Sequence, residues 1–372
     1  MNIEADSVGD LGIIALRSCE EFGEKLDKHI KNLRRQSATP CPESFLIKAQ
    51  QTRFSNGEGK IILGETARGK DIFVICDIGN HSCTYDLYGR PNRMGPDEHF
   101  QDIKRAVSAI GGRAARVNVM MPMLYASRQD RNKGRESLDC SLALQELERL
   151  GVRDIITFDV HNSSVQNAVP LLSFENLYAT YEMIENFIQD EKEILTDKEN
   201  FLIISPDLGG MERAIYYSTV MGIDIGMFYK RRNYSKVEGG RNPIEQHDYL
   251  GRDLDGKNVI IIDDIISTGE SACKIMEDLK ERGASKIFLA TTFAQFTRGT
   301  ERFQKLYEDG ILNRVYSTNL TYVPKEILDS PWFKHVDMSL FAAKIINNLN
   351  TNRSIESLIN ATESLKKHFK TS

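Results

Sequence analysis

Short runs of β-branched and apolar residues alternate with amphipathic helical patterns along most of this chain. The apolar runs at 116–121, 154–158, 200–204 and 285–290 predict strands, and each lies near a stretch of helical periodicity. Alternation of this kind predicts βαβ units and parallel sheets. The pattern therefore indicates an α/β fold.

The most clearly predicted helix follows the apolar run 259–262. Apolar residues from Ala272 to Leu279 recur at i, i+3, i+4 and i+7, and Gly283 marks the end of the pattern. The N-terminus of this helix is expected to point at the loop that joins it to the preceding run.

Two segments of the chain resemble each other. Residues 68–78 and 255–265 share one order: a glycine, a lysine and a polar residue, then an apolar run that ends in aspartate. They lie about one domain length apart, which indicates two domains of related design. Chance similarity between two short strand segments is the alternative.

Three polar segments, at 79–99, 190–200 and 231–247, predict loops. The last contains two glycines and a proline, and the basic cluster 230–232 lies at its base. A long polar loop beside basic residues favours a lid over phosphates. A solvated surface loop is the alternative.

Composition narrows the class of protein. The 372 residues are enough for two domains, and 41% hydrophobic with 27% charged residues is typical of a soluble globular protein. The formal net charge of −5 argues against a nucleic-acid partner held by a basic face, and leaves room for a local basic pocket that binds a small anion.

The cysteines and the N-terminus indicate the cellular compartment of the protein. Six scattered cysteines without a C-x-x-C pair suggest reduced core residues. The N-terminus lacks the basic start and apolar run of an export signal, and no apolar stretch approaches the length that spans a bilayer. We therefore expect a cytoplasmic protein with no membrane partner.

The strongest chemical signal is the segment 259–271, in which an apolar run ends in Asp263 and Asp264 before a glycine turn opens a helix. Backbone N–H groups at 268–271 and the helix dipole can hold a 5′-phosphate. The two carboxylates can accept hydrogen bonds from ribose hydroxyls or hold Mg²⁺. An acidic strand end with an ordinary helix cap at Ser271 is the alternative.

This segment resembles the phosphoribosyl-diphosphate-binding motif of type I phosphoribosyltransferases, and further segments narrow the resemblance to the ribose-phosphate pyrophosphokinase family. The segments that carry it are TRFSNGE at 52–58, SRQDR at 127–131, DVH at 159–161, NLYA at 176–179, SPDLGGMERA at 205–214 and KRR at 230–232.

The resemblance implies an α/β protein of two tandem phosphoribosyltransferase-like domains, each a mainly parallel sheet flanked by helices. The N-terminal domain is expected at 1–173, completed by a C-terminal helix within 337–372. The C-terminal domain, at 174–336, is expected to carry the ribose 5-phosphate site and the flexible catalytic loop. A homo-oligomer built from dimers, commonly a hexamer, is also implied.

The implied activity transfers the β,γ-diphosphoryl group of ATP to the anomeric hydroxyl of ribose 5-phosphate, with Mg²⁺ as cofactor. The residues implied for ATP binding are Phe54, Asn56, Glu58, Arg128, Gln129, Asp130 and His161. Those implied for ribose 5-phosphate binding are Asp207, Asp263, Asp264, Ser267, Thr268, Gly269, Glu270 and Ser271. Lys230, Arg232 and His161 are implied as catalytic residues, and His161 and Asp207 as metal ligands.

Some positions depart from the family pattern. Asn56 replaces an aspartate, and in the phosphate loop Ser267 and Glu270 replace an aspartate and a glycine, so a carboxylate lies close to a loop that binds an anion. These departures leave two alternatives open. One is a catalytically weakened relative that regulates an active synthetase, and the other is a phosphoribosyltransferase.

Overall fold

The computed structural model describes residues 7–36, 41–132, 134–232 and 244–359. Most of the predicted lid, 233–243, therefore lies outside the described residues, and so does the C-terminal part of the predicted completing segment, 360–372.

Helices and strands alternate, as the sequence pattern predicts. The α-helices are α1 (Glu20–Gln36), α2 (Pro96–Ile110), α3 (Asp139–Arg149), α4 (Thr180–Asp190), α5 (Glu193–Thr196), α6 (Met211–Met221), α7 (Glu270–Glu281), α8 (Glu301–Glu308), α9 (Lys325–Leu328), α10 (Ser339–Asn350) and α11 (Glu356–Ile359). Short 3₁₀ turns cover Arg17–Cys19, Ser163–Ala168 and Lys198–Asn200.

The strands fall into two groups along the chain. Those of the N-terminal half are β1 (Asp10–Ala15), β2 (Ala49–Arg53), β3 (Gly59–Leu63), β4 (Lys70–Ile75), β5 (Thr84–Leu87), β6 (Arg90–Arg93), β7 (Arg116–Met120), β8 (Asp154–Phe158) and β9 (Ser173–Leu177). Those of the C-terminal half are β10 (Phe201–Ser205), β11 (Asp224–Arg232), β12 (Ile244–Leu250), β13 (Asn258–Ile266), β14 (Ile287–Ala294), β15 (Arg314–Thr318) and β16 (Phe333–Val336).

The described residues form two compact units. The first comprises those within 1–178, 319–322 and 337–360, and the second those within 179–318 and 323–336. Each unit is built on one mainly parallel sheet, so the predicted fold class is confirmed.

The first unit has a parallel sheet in the order β1-β4-β7-β8-β9. Strand β4, an interior strand of this sheet, is buried from Asp71 to Ile75. Helix α1 packs on β1, and α2 packs on β4. Two antiparallel hairpins, β2–β3 and β5–β6, accompany the sheet.

The second unit has a sheet in the order β12-β11-β10-β13-β14-β15-β16. Only β12 pairs antiparallel with its neighbour; the other pairs are parallel. The predicted apolar face of α7 is confirmed, because the apolar residues of α7 from Ala272 to Leu279 are buried in a core with Ile261, Leu289 and Trp332. This packing fixes where α7 begins, directly after β13.

The two similar segments of the sequence fold alike. Gly69 and Gly256 both have φ of +71°. The Gly69 N–H donates to the carbonyl of Arg113 at 3.0 Å, and the Gly256 N–H donates to that of Gly283 at 2.9 Å. A left-handed glycine therefore precedes an interior strand in each unit, which supports two domains of related design.

The C-terminal helix α10 belongs to the first unit, where it packs against α1. The Arg34 guanidinium donates to Asn350 Oδ1 at 2.5 Å, and Asn350 Nδ2 donates to the buried Asp71 carboxylate at 2.9 Å. Arg116 completes this cluster with two hydrogen bonds to Asp71, at 2.8 and 2.7 Å. Because a buried charge is costly unless it is paired, this cluster fixes the position of α10.

The predicted loop at 79–99 was wrong in part. It contains the hairpin β5–β6, and α2 begins inside it at Pro96. Tyr85 and Leu87 alternate with polar residues, but the segment is too short for that periodicity to separate it from a loop. Within 190–200, helix α5 forms a single turn. The segment 231–247 contains the end of β11 and the start of β12.

None of the described helices combines the length and the apolar character needed to cross a membrane.

Candidate functional site

In each unit the predicted site residues follow parallel strands at their carboxyl ends. In the second unit, 205–210 follow β10 and 263–271 contain the end of β13 and the start of α7. Strands β10 and β13 are neighbours. Ligands of open α/β sheets bind at this edge, because the loops after neighbouring strands meet there.

The loop after β10 is organised by Asp207. Its Oδ1 accepts hydrogen bonds from the N–H groups of Gly209 at 2.9 Å and Gly210 at 3.2 Å. The Ser205 hydroxyl donates to the Asp207 carbonyl at 2.7 Å. A Cβ on Gly210 would lie 3.1 Å from Ser205 Oγ, so the tight turn favours glycine there. The carboxyl group of Asp207 is thus fixed at the start of α6.

Asp263 and Asp264 lie next to each other near the end of β13. The Asp264 N–H donates to Asp263 Oδ1 at 2.9 Å. Burial and the neighbouring Asp264 carboxylate raise the pKa of Asp263 well above its ordinary value. Arg213 of α6 approaches Asp264 to 4.0 Å and partly offsets this charge. Such a pair gains most from hydroxyl donors or a cation placed against it.

The phosphate-loop residues Ser267, Thr268 and Gly269 join β13 to α7. Gly269 has φ of +80°, and a Cβ there would lie 2.4 Å from Phe303. The N–H of Glu270, the first residue of α7, donates to Thr268 Oγ1 at 3.3 Å. Ser271 follows within the first turn. The backbone N–H groups ahead of a helix's own hydrogen-bond ladder are suited to an anion.

Arg298 is a residue that the sequence analysis missed. Its Nη1 donates to Glu270 Oε1 at 2.5 Å. The chain leading to it is held against the phosphate loop, since the N–H of Gln295 donates to the Ile266 carbonyl at 2.9 Å and that of Thr297 to the Ser267 carbonyl at 2.8 Å. In the sequence, an arginine after β14 resembles any exposed loop cation.

In the first unit, three predicted segments come together after β7, β8 and β9. Asn162 donates from Nδ2 to Asp130 Oδ2 at 2.5 Å, which joins the SRQDR segment to the residue after His161. The Val160 N–H donates to Asn176 Oδ1 at 3.1 Å, which joins the NLYA segment to the same turn. His161 itself is exposed on this turn.

Two residues of this edge adopt a left-handed backbone without being glycine. Ala126 has φ of +53° and Asp159 has φ of +45°. Each follows a strand and directly precedes a predicted nucleotide-binding segment. Backbone strain of this kind persists only where the surrounding structure imposes it, and it is concentrated at functional sites.

The polar side chains of the SRQDR segment differ in burial. Burial raises the pKa of Asp130, but the hydrogen bond from Asn162 and the nearby Arg131 outweigh it and hold the pKa below its ordinary value. Asp130 is therefore an anchoring carboxylate, whereas Arg128 and Gln129 are exposed. This arrangement places Arg128 on the exposed side of the segment.

Phe54 is 51% exposed, so it is not a core residue. It begins a tight turn in which its N–H donates to the Glu58 carbonyl at 2.8 Å, and Asn56 Nδ2 donates to Glu58 Oε2 at 3.0 Å. The Tyr88 N–H, from the β5–β6 hairpin, donates to the Ser55 carbonyl at 2.8 Å. The hairpin thus braces a turn that presents an aromatic ring to the exterior.

Asp77 lies just after β4, as Asp263 lies just after the apolar run of β13, and it is 4% exposed. Its carboxyl oxygens accept hydrogen bonds from the Gly79 N–H at 2.9 Å, the Thr321 hydroxyl at 3.1 Å and the Tyr322 N–H at 2.7 Å. It therefore anchors the segment 319–322 in the first unit.

The predicted catalytic residues Lys230 and Arg232 lie at the end of β11, where the backbone of Lys230 pairs with His247 of β12. Their side chains are not among those that the structure describes. The predicted metal ligands belong to different units, His161 to the first and Asp207 to the second.

Within the described part of the chain, no three His, Cys, Asp or Glu side chains converge as a ready-made metal site. Mg²⁺ does not require one, because it is commonly held by one or two carboxylates together with substrate phosphates and water. Carboxylate oxygens suit Mg²⁺ better than an imidazole nitrogen does, so Asp207 fits the ion better than His161.

Two family models match the chain. The model of the N-terminal domain of ribose phosphate pyrophosphokinase matches residues 11–151, and the phosphoribosyl transferase domain model matches residues 173–313. Together they span well over half of the sequence, and the turn after β8 that carries His161 lies between the two matched ranges.

Curated relatives match over most of their length and most of this chain. The chain is 28% identical to the ribose-phosphate pyrophosphokinase of Helicobacter hepaticus over 321 residues, which are 86% of this chain and 93% of that protein. It is also 28% identical to the enzyme of that name from Vibrio cholerae over 317 residues, 84% of this chain and 91% of that protein.

The fold is shared with a solved structure, the phosphoribosylpyrophosphate synthetase from Mycobacterium smegmatis. The TM-score is 0.72 at 20% sequence identity, and the match covers 92% of this chain and 99% of the other.

Proposed function

This chain belongs to the ribose-phosphate pyrophosphokinase family, and we propose that it transfers the β,γ-diphosphoryl group of ATP to the anomeric hydroxyl of ribose 5-phosphate. The products are 5-phosphoribosyl 1-diphosphate and AMP. The observation that carries the proposal is the sequence of groups at the end of β13, where an acidic pair is followed directly by a loop at the N-terminus of α7.

These groups match the two ends of ribose 5-phosphate. The backbone N–H groups from Thr268 to Ser271 bind the 5′-phosphate, and the carboxylates of Asp263 and Asp264 accept hydrogen bonds from the ribose hydroxyls. The hydroxyl protons lie between two like charges, which lowers the cost of keeping both carboxylates ionised. Asp207, fixed at the start of α6, contacts the same end of the substrate.

The edge of the first unit supplies the nucleotide contacts. Arg128 and His161 bind the triphosphate, and Gln129 and Asp130 complete that segment. Phe54 stacks on adenine, and Asn56 and Glu58 shape the turn that carries it. The exposure of Phe54 supports this role, because an exposed aromatic ring braced by a hairpin is available for stacking.

The reaction forms a bond from the anomeric oxygen to the β-phosphorus and breaks the bond from the β-phosphorus to the α,β-bridging oxygen. AMP leaves with that oxygen, and the proton of the anomeric hydroxyl passes to solvent. Positioning and charge neutralisation carry most of the catalysis in phosphoryl-type transfers. Lys230 and Arg232 stabilise the charge that develops at the β-phosphoryl group.

Mg²⁺, held by Asp207 and substrate oxygens, would neutralise phosphate charge in the complex. His161 acts mainly on the nucleotide. We further propose a homo-oligomer built from dimers, the assembly that the family resemblance implies.

The decisive experiment incubates the purified protein with ATP, ribose 5-phosphate and Mg²⁺ and follows the products by ³¹P NMR. AMP formed in step with a new diphosphate is the expected result, and chelation of Mg²⁺ should stop it. The Lys230→Ala protein, prepared in parallel, controls for a contaminating synthetase.

A folded protein that binds ATP and forms no product would contradict the proposal. That outcome would favour the regulatory relative, the second function that Glu270 in the phosphate loop keeps open.

A further inference from the structure

The phosphate loop carries an ion pair whose acidic member occupies a position that the family pattern gives to glycine. We propose that Arg298 is a positioning residue for ribose 5-phosphate: its guanidinium offsets the Glu270 carboxylate, so that the loop still accepts the 5′-phosphate. The inference rests on the proposed function, because it concerns the same loop.

The contact is direct and its geometry is built in. Arg298 Nη1 lies 2.5 Å from Glu270 Oε1. Two backbone hydrogen bonds hold the preceding residues to the loop, Gln295 N–H to the Ile266 carbonyl and Thr297 N–H to the Ser267 carbonyl. The guanidinium therefore extends from a segment that is fixed relative to the phosphate loop.

The other side of the pair is equally constrained. Glu270 is the first residue of α7, and Gly269 before it has φ of +80° with Phe303 packed where a Cβ would lie. The loop cannot rotate to carry the Glu270 backbone away without disturbing that packing. The backbone of Glu270 is consequently held beside the N–H groups that bind the anion.

The charges then decide whether the loop attracts or repels a phosphate. A phosphate dianion within several ångströms of an unpaired carboxylate is repelled, and in a solvated site this costs about tenfold in affinity. With Arg298 in place, the pair contributes no net charge. An arginine brought by the next strand thus compensates for the loss of the glycine.

The test is a double-mutant cycle on Arg298→Ala and Glu270→Gly, with ribose 5-phosphate binding measured by calorimetry in the absence of ATP. Arg298→Ala should raise Kd about tenfold when Glu270 is present and less than twofold in the Glu270→Gly background. Arg298→Lys should recover most of the affinity, and 0.5 M salt should shrink the loss.

A second ion pair on α7 provides a matched control. Arg302 of α8 lies 2.7 Å from Glu277, and these side chains are partly exposed, at 41% and 39%, against 70% and 53% for Arg298 and Glu270. Arg302→Ala breaks an equivalent contact two turns farther along α7, so it should leave Kd within twofold of the wild type.

Two results would overturn the inference alone: no loss with Arg298→Ala, or an equal loss in both backgrounds, which would mean that Arg298 acts independently of Glu270. Absence of ribose 5-phosphate binding by the wild-type protein would overturn the proposed function, and the inference with it.

Discussion

Strands β4 and β13 start alike and end differently. Both follow a glycine at φ of +71°, both are interior strands of a mainly parallel sheet, and both have an aspartate near their carboxyl end. Asp77, after β4, is saturated by three donors of its own unit. Asp263, in β13, faces the like charge of Asp264, and burial together with that charge raises its pKa.

Two aspartates at corresponding positions of the two sheets therefore have different roles. In the first unit Asp77 anchors the segment 319–322, and in the second unit Asp263 is placed where it can accept hydrogen bonds from a ligand. A strand that ends in aspartate at a sheet's carboxyl edge indicates where a site can form, but the partners of the carboxylate decide whether it does.

The largest effect on stability is expected when the Asp77 carboxyl group is removed. Asp77→Ala leaves the Gly79 N–H, the Thr321 hydroxyl and the Tyr322 N–H without their acceptor, so we expect the free energy of unfolding to fall by about 3 to 4 kcal/mol. Urea denaturation followed by far-UV circular dichroism measures it. The Michaelis constants of the folded protein should stay near wild type; a selective rise in the one for ribose 5-phosphate would place Asp77 in the site.

At the end of β13 we expect a substitution to weaken substrate binding and leave stability unchanged or higher. Asp264→Asn should raise the Michaelis constant for ribose 5-phosphate about 100-fold, because a charge-assisted hydrogen bond to a hydroxyl is lost, with that for ATP little changed. Its stability should equal or exceed that of the wild type, since one of two like charges is gone. Asp253→Asn changes an exposed acid of the same unit and is the control. If steady-state kinetics give Asp264→Asn an unchanged Michaelis constant for ribose 5-phosphate, Asp264 does not bind this substrate.

The pH dependence of stability tests the burial of the Asp77 carboxyl group. Burial raises the pKa of Asp77 to about 7, whereas an unfolded aspartate titrates near 3.9. Between these values the unfolded chain has lost the proton and the native protein retains it, so stability falls as pH rises, by about 2 kcal/mol from pH 5 to 7.

Urea denaturation of the wild type and of Asp77→Asn across that range checks this. The difference in unfolding free energy between the two proteins should shrink with rising pH, because the amide does not titrate. Parallel curves would show that the Asp77 carboxylate is ionised throughout.

The smallest expected effects test the common start of the two strands. Gly69→Ala and Gly256→Ala introduce a Cβ that would meet nothing within 4 Å, so both should cost only the left-handed backbone strain, about 1 kcal/mol each. Equal shifts in urea denaturation would show that the two turns are energetically equivalent. A difference larger than the strain itself would argue against their common design.

Much of the second unit could be predicted from local sequence. The apolar run of β13 is too hydrophobic for anything but a buried strand, and the spacing from Ala272 to Leu279 defines the buried face of α7. The position of the acidic pair and of the phosphate loop follows from these two elements alone.

The β5–β6 hairpin and the Arg298 contact could not be predicted in this way. The hairpin strands have four residues each and are mostly exposed, so their hydrophobic pattern is weak. Arg298 is 28 residues from Glu270 in sequence, and the β13–β14 pairing brings the two together.

Local periodicity in the sequence determined most of the strand and helix types, because burial of one face requires a regular spacing of apolar residues. The similarity of two segments indicated the related halves, and the resemblance to the family indicated the segments that carry the chemistry. The tertiary structure decided which polar groups meet. It brought Thr321 and Tyr322 to Asp77 and Arg298 to Glu270, since hydrogen bonds and ion pairs between distant residues depend on sheet order and loop position, which no local pattern encodes.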